Sequence, residues 1–308
     1  MIFVKAQNIK PDHISVCICT FHRPVLLSKA LAGVTGQVTE SAFTFEVVVV
    51  DNDHRRSAEE IVRLLQQGNA TKIIYDCEPE QNIALARNRA IRNATGNLLV
   101  FVDDDEFPEP TWLEKLFDAQ KVYSADGVLG PVIPFYEGTP PEWLVRSGLC
   151  VRPSFTTGTT LKNSKYMRTG NVLFCRKIID GLELPFNPRL GRSGGEDTDF
   201  FDHMLHAGRF FVWCNEARVF EFVPKERQTR CYLVKRAFIR GVTSADRESF
   251  ISRGTMKSIV AVTVYTTILP IMLVTGHHRF MKYLIKDFDH LAKLFAYCGI
   301  KFARERTF

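Results

Sequence analysis

The chain opens on short apolar runs separated by amphipathic stretches. "ISVCIC" (Ile14–Cys19), "FEVVVV" (Phe45–Val50), "KIIYD" (Lys72–Asp76) and "NLLVFV" (Asn97–Val102) are rich in β-branched and aliphatic residues. Nearly continuous apolar runs of this length fit strands covered on both faces. Between them the spacing predicts helices over about Val25–Leu31, Ala58–Gln66, Ala84–Asn93 and Thr111–Tyr123. Strand–helix alternation predicts a parallel, doubly wound sheet. Ligands of such sheets sit beyond the carboxyl ends of the strands. The residues there are polar: "TFHRP", "DNDH", "DCEPEQN" and "DDDE". Any one of them reads as a solvated loop. Four at one sheet edge, with this much acid, predict a binding site.

From Val128 to Phe222 the pattern is mixed. Strand-like "VLGPVI" and "FFVW" flank Pro- and Gly-containing loops and one helix, roughly Glu196–Ala207. This half is expected to complete the sheet and form an acceptor side. The last 80 residues differ again. "SIVAVTVYTTILPIMLVT" (Ser258–Thr275) is 18 residues without a charge, the lower limit for crossing a bilayer. Pro270 and the threonines weigh against a span. The stretch that follows mixes Phe, Leu and Tyr with Lys and Arg at helical spacing. It predicts a basic amphipathic helix in a membrane interface. The plainer alternative is a core helix followed by a solvated basic one.

Charge sharpens that division. The net charge of +6 conceals 16 Lys and Arg against 6 acids from Phe222 onward, and 24 against 28 before it. A basic tail on a mildly acidic body suggests an anionic partner: membrane lipid, nucleic acid or phosphorylated substrate. There is no RNP-like aromatic platform or zinc motif, which argues against nucleic acid. Met1–His13 lacks a basic segment followed by an apolar one, so a cytosolic chain is expected. The eight cysteines make no CxxC pair. That excludes the usual zinc and disulfide frameworks and predicts reduced, mostly buried thiols.

Three clusters carry candidate chemistry. Asp103, Asp104 and Asp105 follow an apolar strand directly. Alternation at a strand end would turn Asp103 and Asp105 to one side and Asp104 to the other. A D-x-D pair suits a hard divalent ion whose remaining ligands come from a diphosphate. One carboxylate would hold the metal and the other reach a ribose hydroxyl. An acidic turn capping the helix at Thr111 would explain one acid, not three. In "ALARNRAI", Arg87 and Arg89 point to different faces of a helix. Arg87 is the candidate for a phosphate or base, with Asn82 and Asn88 as polar neighbours, and Arg89 is read as a surface residue. In "GRSGGEDTDFF", Glu196 and Asp197 open a helix. Acids there are favoured by the helix dipole, and either could accept a proton from an attacking hydroxyl.

Taken in order, "VCICTFHRP", "VVVVDN", "NIALARNRAI", "FVDDDE", "TGNVLF" and "GEDTDFF" resemble the family 2 glycosyltransferases of the GT-A fold. The resemblance covers roughly residues 14–245. "LGRSGGEDTDFF" with the later "VPKER" is most similar to the bacterial exopolysaccharide branch, the succinoglycan-type glucosyltransferases. The resemblance implies an α/β, Rossmann-like nucleotide-diphospho-sugar transferase fold, a mixed sheet flanked by helices, to which the composition of the tail adds a helical, membrane-associating C-terminal region. Residues 1–225 would be the catalytic domain, with a nucleotide-sugar half (1–125) and an acceptor half (126–225). Residues 226–308 would be the membrane-associated region. The implied donor is a nucleotide-sugar, most often a UDP-sugar, and the implied cofactor Mn²⁺ or Mg²⁺.

By the same resemblance, Thr20, Phe21 and Arg23 line the nucleotide site and Asp51 bonds the base; Asn82, Arg87 and Asp104 are added to that site from the residue pattern. Asp103 would contact the ribose and Asp105 bind the metal. Asp197 would be the base of an inverting displacement. Glu196, Gly170 and Asn171 would bind acceptor or sugar. Relatives often carry a metal-ligating His where Phe220 stands, so either Glu221 substitutes or Asp105 is completed by phosphate and water. The Gln-x-x-Arg-Trp motif of processive synthases is absent, which implies one sugar per encounter. The acceptor would be a lipid-linked glycan at the cytoplasmic face of a bacterial inner membrane, with the protein peripheral or monotopic on an anionic surface. The rival expectation is a catalytically silent nucleotide-sugar-binding subunit.

Overall fold

The computed structural model describes residues 11–39 and 43–300. Most of Met1–His13, where the cytosolic expectation rests, and the last eight residues of the basic tail lie outside the described residues. The elements run β1 (His13–Thr20), α1 (Pro24–Thr35), β2 (Thr44–Asp51), α2 (Glu59–Gly68), β3 (Ile73–Cys77), α3 (Ile83–Asn93) and β4 (Leu98–Phe101). They continue with β5 (Glu106–Pro108), α4 (Trp112–Tyr123), β6 (Gly127–Leu129), β7 (Val132–Tyr136), α5 (Glu142–Ser147), β8 (Val172–Cys175) and α6 (Glu196–His206). Then come β9 (Phe211–Trp213), β10 (Val219–Val223), α7 (Arg230–Arg247), α8 (Arg253–Thr275) and α9 (His277–Tyr297).

The chain divides into two compact units. The first comprises 1–132, 154–188 and 196–219; the second comprises 133–153, 189–195 and 220–308. The first holds a seven-stranded sheet in the order β3-β2-β1-β4-β8-β6-β9. β1 to β4 are mutually parallel, as the alternation predicts, but β8 runs antiparallel to both β4 and β6. The sheet is therefore mixed. "VLGPVI" is not one strand: it divides at Gly130–Pro131 into β6 and β7.

The core follows from composition. Val47 to Val50, Leu98 to Phe101 and Val172 to Phe174 are fully or almost fully buried, covered on both faces of the sheet. An aromatic chain runs beneath them: Phe101 meets Phe186 at 5.7 Å, Phe186 meets Phe200 at 4.7 Å, and Phe201 meets Phe211 at 5.5 Å between ring centroids. Phe200 and Phe201 lie on α6, so this packing fixes where α6 begins. All eight cysteines are free. Cys17, Cys77, Cys175 and Cys214 are buried, while Cys231 and Cys298 are exposed.

The buried carboxylate of Glu46 knits the amino-terminal end of the sheet. It accepts from the Ser15 hydroxyl (2.9 Å), Thr95 N–H (2.8 Å), the Thr95 hydroxyl (2.7 Å) and Lys72 Nζ (2.9 Å). Burial alone would raise its pKa, but these donors hold it down at about 2. A depressed carboxylate stabilises the fold fully above its unfolded value, near 4.5, and loses that contribution as pH falls toward 2. Glu46→Gln should therefore cost about 2 kcal/mol at pH 7. In urea melts the gap to wild type should narrow below pH 4.5. A constant gap down to pH 2.5 would contradict the assignment.

In the second unit, α9 packs against α5, α7 and α8. The side chains of Thr229 and Ser252 cap α7 and α8 by accepting from Tyr232 N–H and Thr255 N–H. α7 and α9 cross at Gly241, where a Cβ would fall 2.4 Å from the Asp289 carbonyl and 2.6 Å from the Ala292 Cβ.

Candidate active site

The parallel register brings the strand tips level. Thr20 pairs with Asp51, and Asp51 with Cys77, at one carboxyl edge. β4 ends earlier, at Phe101 opposite Cys17, so Asp103, Asp104 and Asp105 lie in the turn beyond it. The two-residue alternation of a strand does not reach them. This corrects the expectation that Asp103 and Asp105 share a side. Asp104 and Asp105 share a partner instead: Arg23 Nη1 lies 3.1 Å from an oxygen of each. Asp104 also accepts from the Thr20 hydroxyl at 2.8 Å. Burial raises its pKa to about 6 against the pull of Arg23. Asp103 points elsewhere, its side chain 45% exposed and 4.0 Å from Arg87 Nη2.

Antiparallel β8 explains the neighbour of this turn. Because Val172 pairs with Phe101, the start of β8 meets the end of β4, and Gly170 arrives beside the acids. A Cβ on Gly170 would lie 2.6 Å from Glu106 Oε1 and 2.9 Å from Asp103 Oδ2. Glu106 is buried and accepts from the Asp103 N–H at 3.0 Å, so the fourth acid of "DDDE" shapes the turn. Gly170→Ala should displace both the Glu106 and the Asp103 carboxylates, weaken nucleotide affinity about tenfold and lower the melting temperature. Titration calorimetry reads the first quantity and scanning calorimetry the second.

Arg87 links this turn to α6. Its Nη1 donates to Glu196 Oε1 at 2.5 Å, and its guanidinium lies 5.6 Å above the Phe186 ring. Burial disfavours its charge, but Glu196, Asp103 and Asp197 together outweigh that and raise its pKa. α3 is held for this task. The Asn88 amide exchanges two hydrogen bonds with the Phe186 backbone (2.7 and 2.9 Å), and Asn82 donates to the Pro188 carbonyl at 2.9 Å. Glu196 is buried, and its Oε2 has no hydrogen-bond partner among the described residues. Asp197 is less enclosed. Its Oδ1 accepts from the Thr198 N–H at 2.7 Å, and its Oδ2 lies 3.6 Å from Arg168 Nε.

The edge thus gathers Thr20, Arg23, Arg87, Asp103, Asp104, Asp105, Gly170, Glu196 and Asp197. Other candidates serve the fold where they stand. Asp51 is fully buried and accepts from Ala58 N–H (2.7 Å), Asp53 N–H (3.2 Å) and Tyr75 Oη (3.2 Å); burial raises its pKa. Asn171 is buried and bonds Trp112 Nε1 and the carbonyls of Pro131 and Ala217. Asn82 also caps α3 through Ala84 N–H and Leu85 N–H. Phe21 stacks edge-to-face on His22 at 4.2 Å. Arg89 is no idle surface residue, since it pairs with Glu78 (3.0 Å) and Asp76 (3.3 Å). Asn52 and Arg168 were missed by sequence reasoning. Asn52 joins the loops after β2 and β3 through Glu78, Glu80 and Asn82. Its place in "VVVVDN", and that of Arg168 directly before "TGN", were the available signals.

Oxygen donors such as Asp103 and Asp105 suit Mg²⁺ or Mn²⁺. Among the described residues, no group of three or more His, Cys, Asp or Glu is placed to hold a metal. The residues fit an ion shared with a diphosphate, and a cation at Asp105 must compete with Arg23. Glu221, in the second unit, lies 2.5 Å from Arg152 Nη2 and 4.0 Å from Arg227 Nη1.

A mixed sheet with an acid-rich carboxyl edge and an acid-led helix is the GT-A glycosyltransferase arrangement. The structural neighbours agree. A mannosyltransferase from Pyrobaculum calidifontis, in complex with GDP-Man and Mn²⁺, matches with TM-score 0.59 at 17% identity, over 94% of this chain and 87% of that one. S. aureus TarS 1-349, in complex with UDP-GlcNAc, matches with TM-score 0.54 at 14% identity, over 94% and 93%. At sequence level the glycosyl transferase family 2 profile matches residues 15–181. The succinoglycan biosynthesis protein ExoM of Rhizobium meliloti is 38% identical over 234 residues, 75% of this chain and 74% of that protein. The chain belongs to glycosyl transferase family 2.

Proposed function

We propose that this glycosyltransferase moves one sugar per encounter from a UDP-sugar to a lipid-linked glycan, in bacterial surface polysaccharide synthesis at the cytoplasmic membrane face. Likeness to a succinoglycan biosynthesis protein supports the pathway class. A neighbour that binds UDP-GlcNAc supports the donor class. Residues 1–225 would carry transfer and 226–308 attachment. The observation that carries the reading is Arg87: one buried guanidinium ties the aspartate turn to the Glu196–Asp197 helix, 93 residues apart in sequence for Asp103 and Glu196.

The geometry at the sheet edge supports the following roles. Arg23 and Thr20 hold the turn so that Asp103 is left accessible to a ribose hydroxyl. Asp105, with Asp103 as its neighbour, would hold Mn²⁺ or Mg²⁺ together with the diphosphate. The ion supplies charge neutralisation for the departing diphosphate. Glu196 Oε2 accepts a hydrogen bond from a hydroxyl of sugar or acceptor. The acceptor oxygen bonds to the anomeric carbon as the bond to the diphosphate breaks on the opposite face, inverting that centre. The proton passes to Asp197, which becomes a better match for it as the oxygen acidifies during attack.

The test is nucleotide release from a panel of UDP-sugars with membrane extract as acceptor. One donor should give acceptor-dependent UDP release that EDTA abolishes and Mn²⁺ or Mg²⁺ restores. Binding of UDP with no transfer across the panel would favour the silent-subunit alternative.

A further inference from the structure

α8 is built inside out for a helix in water. Its polar residues Thr255, Ser258 and Thr266 face α9, where Thr255 bonds Tyr297 Oη (3.4 Å), Ser258 bonds His290 Nδ1 (3.1 Å) and Thr266 donates to Asp287 Oδ2 (3.1 Å). The opposite face carries Met256, Val260, Val264, Ile271 and Val274, all between 48% and 89% exposed. At 100° per residue those five fall within an arc of about 80°. The result is an apolar stripe about 27 Å long, interrupted near its middle by the exposed Thr267, with exposed Ile259 and Leu273 beside it. An uncharged stretch in a protein core would be buried, yet only 6% of this one is.

We infer that α8 lies in the plane of a membrane, its stripe in the lipid and its polar face zipped to α9, rather than crossing the bilayer. This rests on the membrane-acting reading above and specifies the mode of attachment. The length of α8 and its mean hydropathy of 2.0 would allow a span. Its partner forbids it. α9 turns back at Gly276, whose φ of 141° favours glycine, and runs antiparallel along α8. It carries Lys282, Lys286, Asp287, Asp289 and Lys293. A spanning α8 would draw those charges into hydrocarbon or break every contact between the two helices. Each charge is costly there. An in-plane helix meets neither penalty, because the lipid touches one face only. The surface that receives the stripe is an anionic bilayer. From Arg253 to Tyr297 six Lys and Arg stand against two acids, which complements anionic headgroups.

The test uses the full chain and sealed vesicles of phosphatidylglycerol and phosphatidylethanolamine. Wild type should float with them. A Val260→Asp/Val274→Asp double variant should lose flotation at least tenfold while keeping its far-UV melting curve and its UDP release with a water-soluble acceptor. Arg279→Cys places a reporter just beyond the turn. With protein added from outside, a membrane-impermeant maleimide should label it equally before and after detergent, read by peptide mass to separate it from the native cysteines. Labelling only after detergent would show a crossing helix and overturn the inference. So would full flotation of the double variant, or its conversion from dimer to monomer with flotation unchanged, which would assign the stripe to a second copy. Absent transfer in wild type would sink the enzymatic reading and leave the flotation result standing.

Discussion

Asp197→Asn is expected to lower turnover about 10²- to 10⁴-fold, the usual worth of a positioned general base, while UDP affinity stays within about threefold. The substitution is chosen for what it leaves intact. Asp197 Oδ1 accepts from the Thr198 N–H at 2.7 Å, and an amide oxygen keeps that bond. Asn has the same shape as Asp, and Phe200 and Phe201 still anchor α6 in the core. What vanishes is the basic oxygen facing Arg168 Nε at 3.6 Å. A full kinetic comparison with acceptor saturating separates chemistry from binding, since loss of the base lowers kcat without raising the donor KM. Turnover within a few-fold of wild type would remove Asp197 from the chemistry and shift attention to Glu196, whose Oε2 has no hydrogen-bond partner among the described residues.

The sequence carried the site further than it carried the geometry. The first four strands were legible because nearly unbroken aliphatic runs have one comfortable home, a parallel sheet covered on both faces. Their tips could then be placed on one edge without any structure. What the pattern could not show was direction within a short strand: "NVLF" reads the same parallel or antiparallel, and only pairing reveals that β8 reverses and delivers Gly170 to the aspartates. The aspartates themselves were read as though still on a strand. The strand ends at Phe101, with a last cross-strand bond from the Val102 N–H to the Cys17 carbonyl at 3.3 Å, and the turn beyond lets Arg23 gather Asp104 and Asp105 together. Polar residues near the edge were also harder to sort than apolar ones. Asp51 and Asn171 look like ligand-binding groups in sequence, but their hydrogen bonds run to the fold's own loops. The tail shows the same limit in another form: periodicity found the apolar run, while the direction its polar residues face needed α9 beside it.

Arg87 offers the second large effect, and an asymmetric one. Arg87→Met should destabilise the protein by about 3–5 kcal/mol, because it leaves Glu196 buried without its partner. The side chain lies 9% exposed and Glu196 4% exposed, so water cannot replace the lost partner. Adding Glu196→Leu should recover most of that loss, since a buried pair exchanged for apolar groups of similar size is often close to neutral. Activity should not return with stability. Without the guanidinium, the charge that spans from Glu196 on α6 toward Asp103, now 4.0 Å from Arg87 Nη2, is lost from beside the bound diphosphate. Urea melts of the two single variants and the double variant close the cycle, with UDP release measured on the same preparations. Additive destabilisation in the double variant would mean that Arg87 and Glu196 stabilise the fold independently, and the bridge between the aspartate turn and α6 would lose its energetic basis.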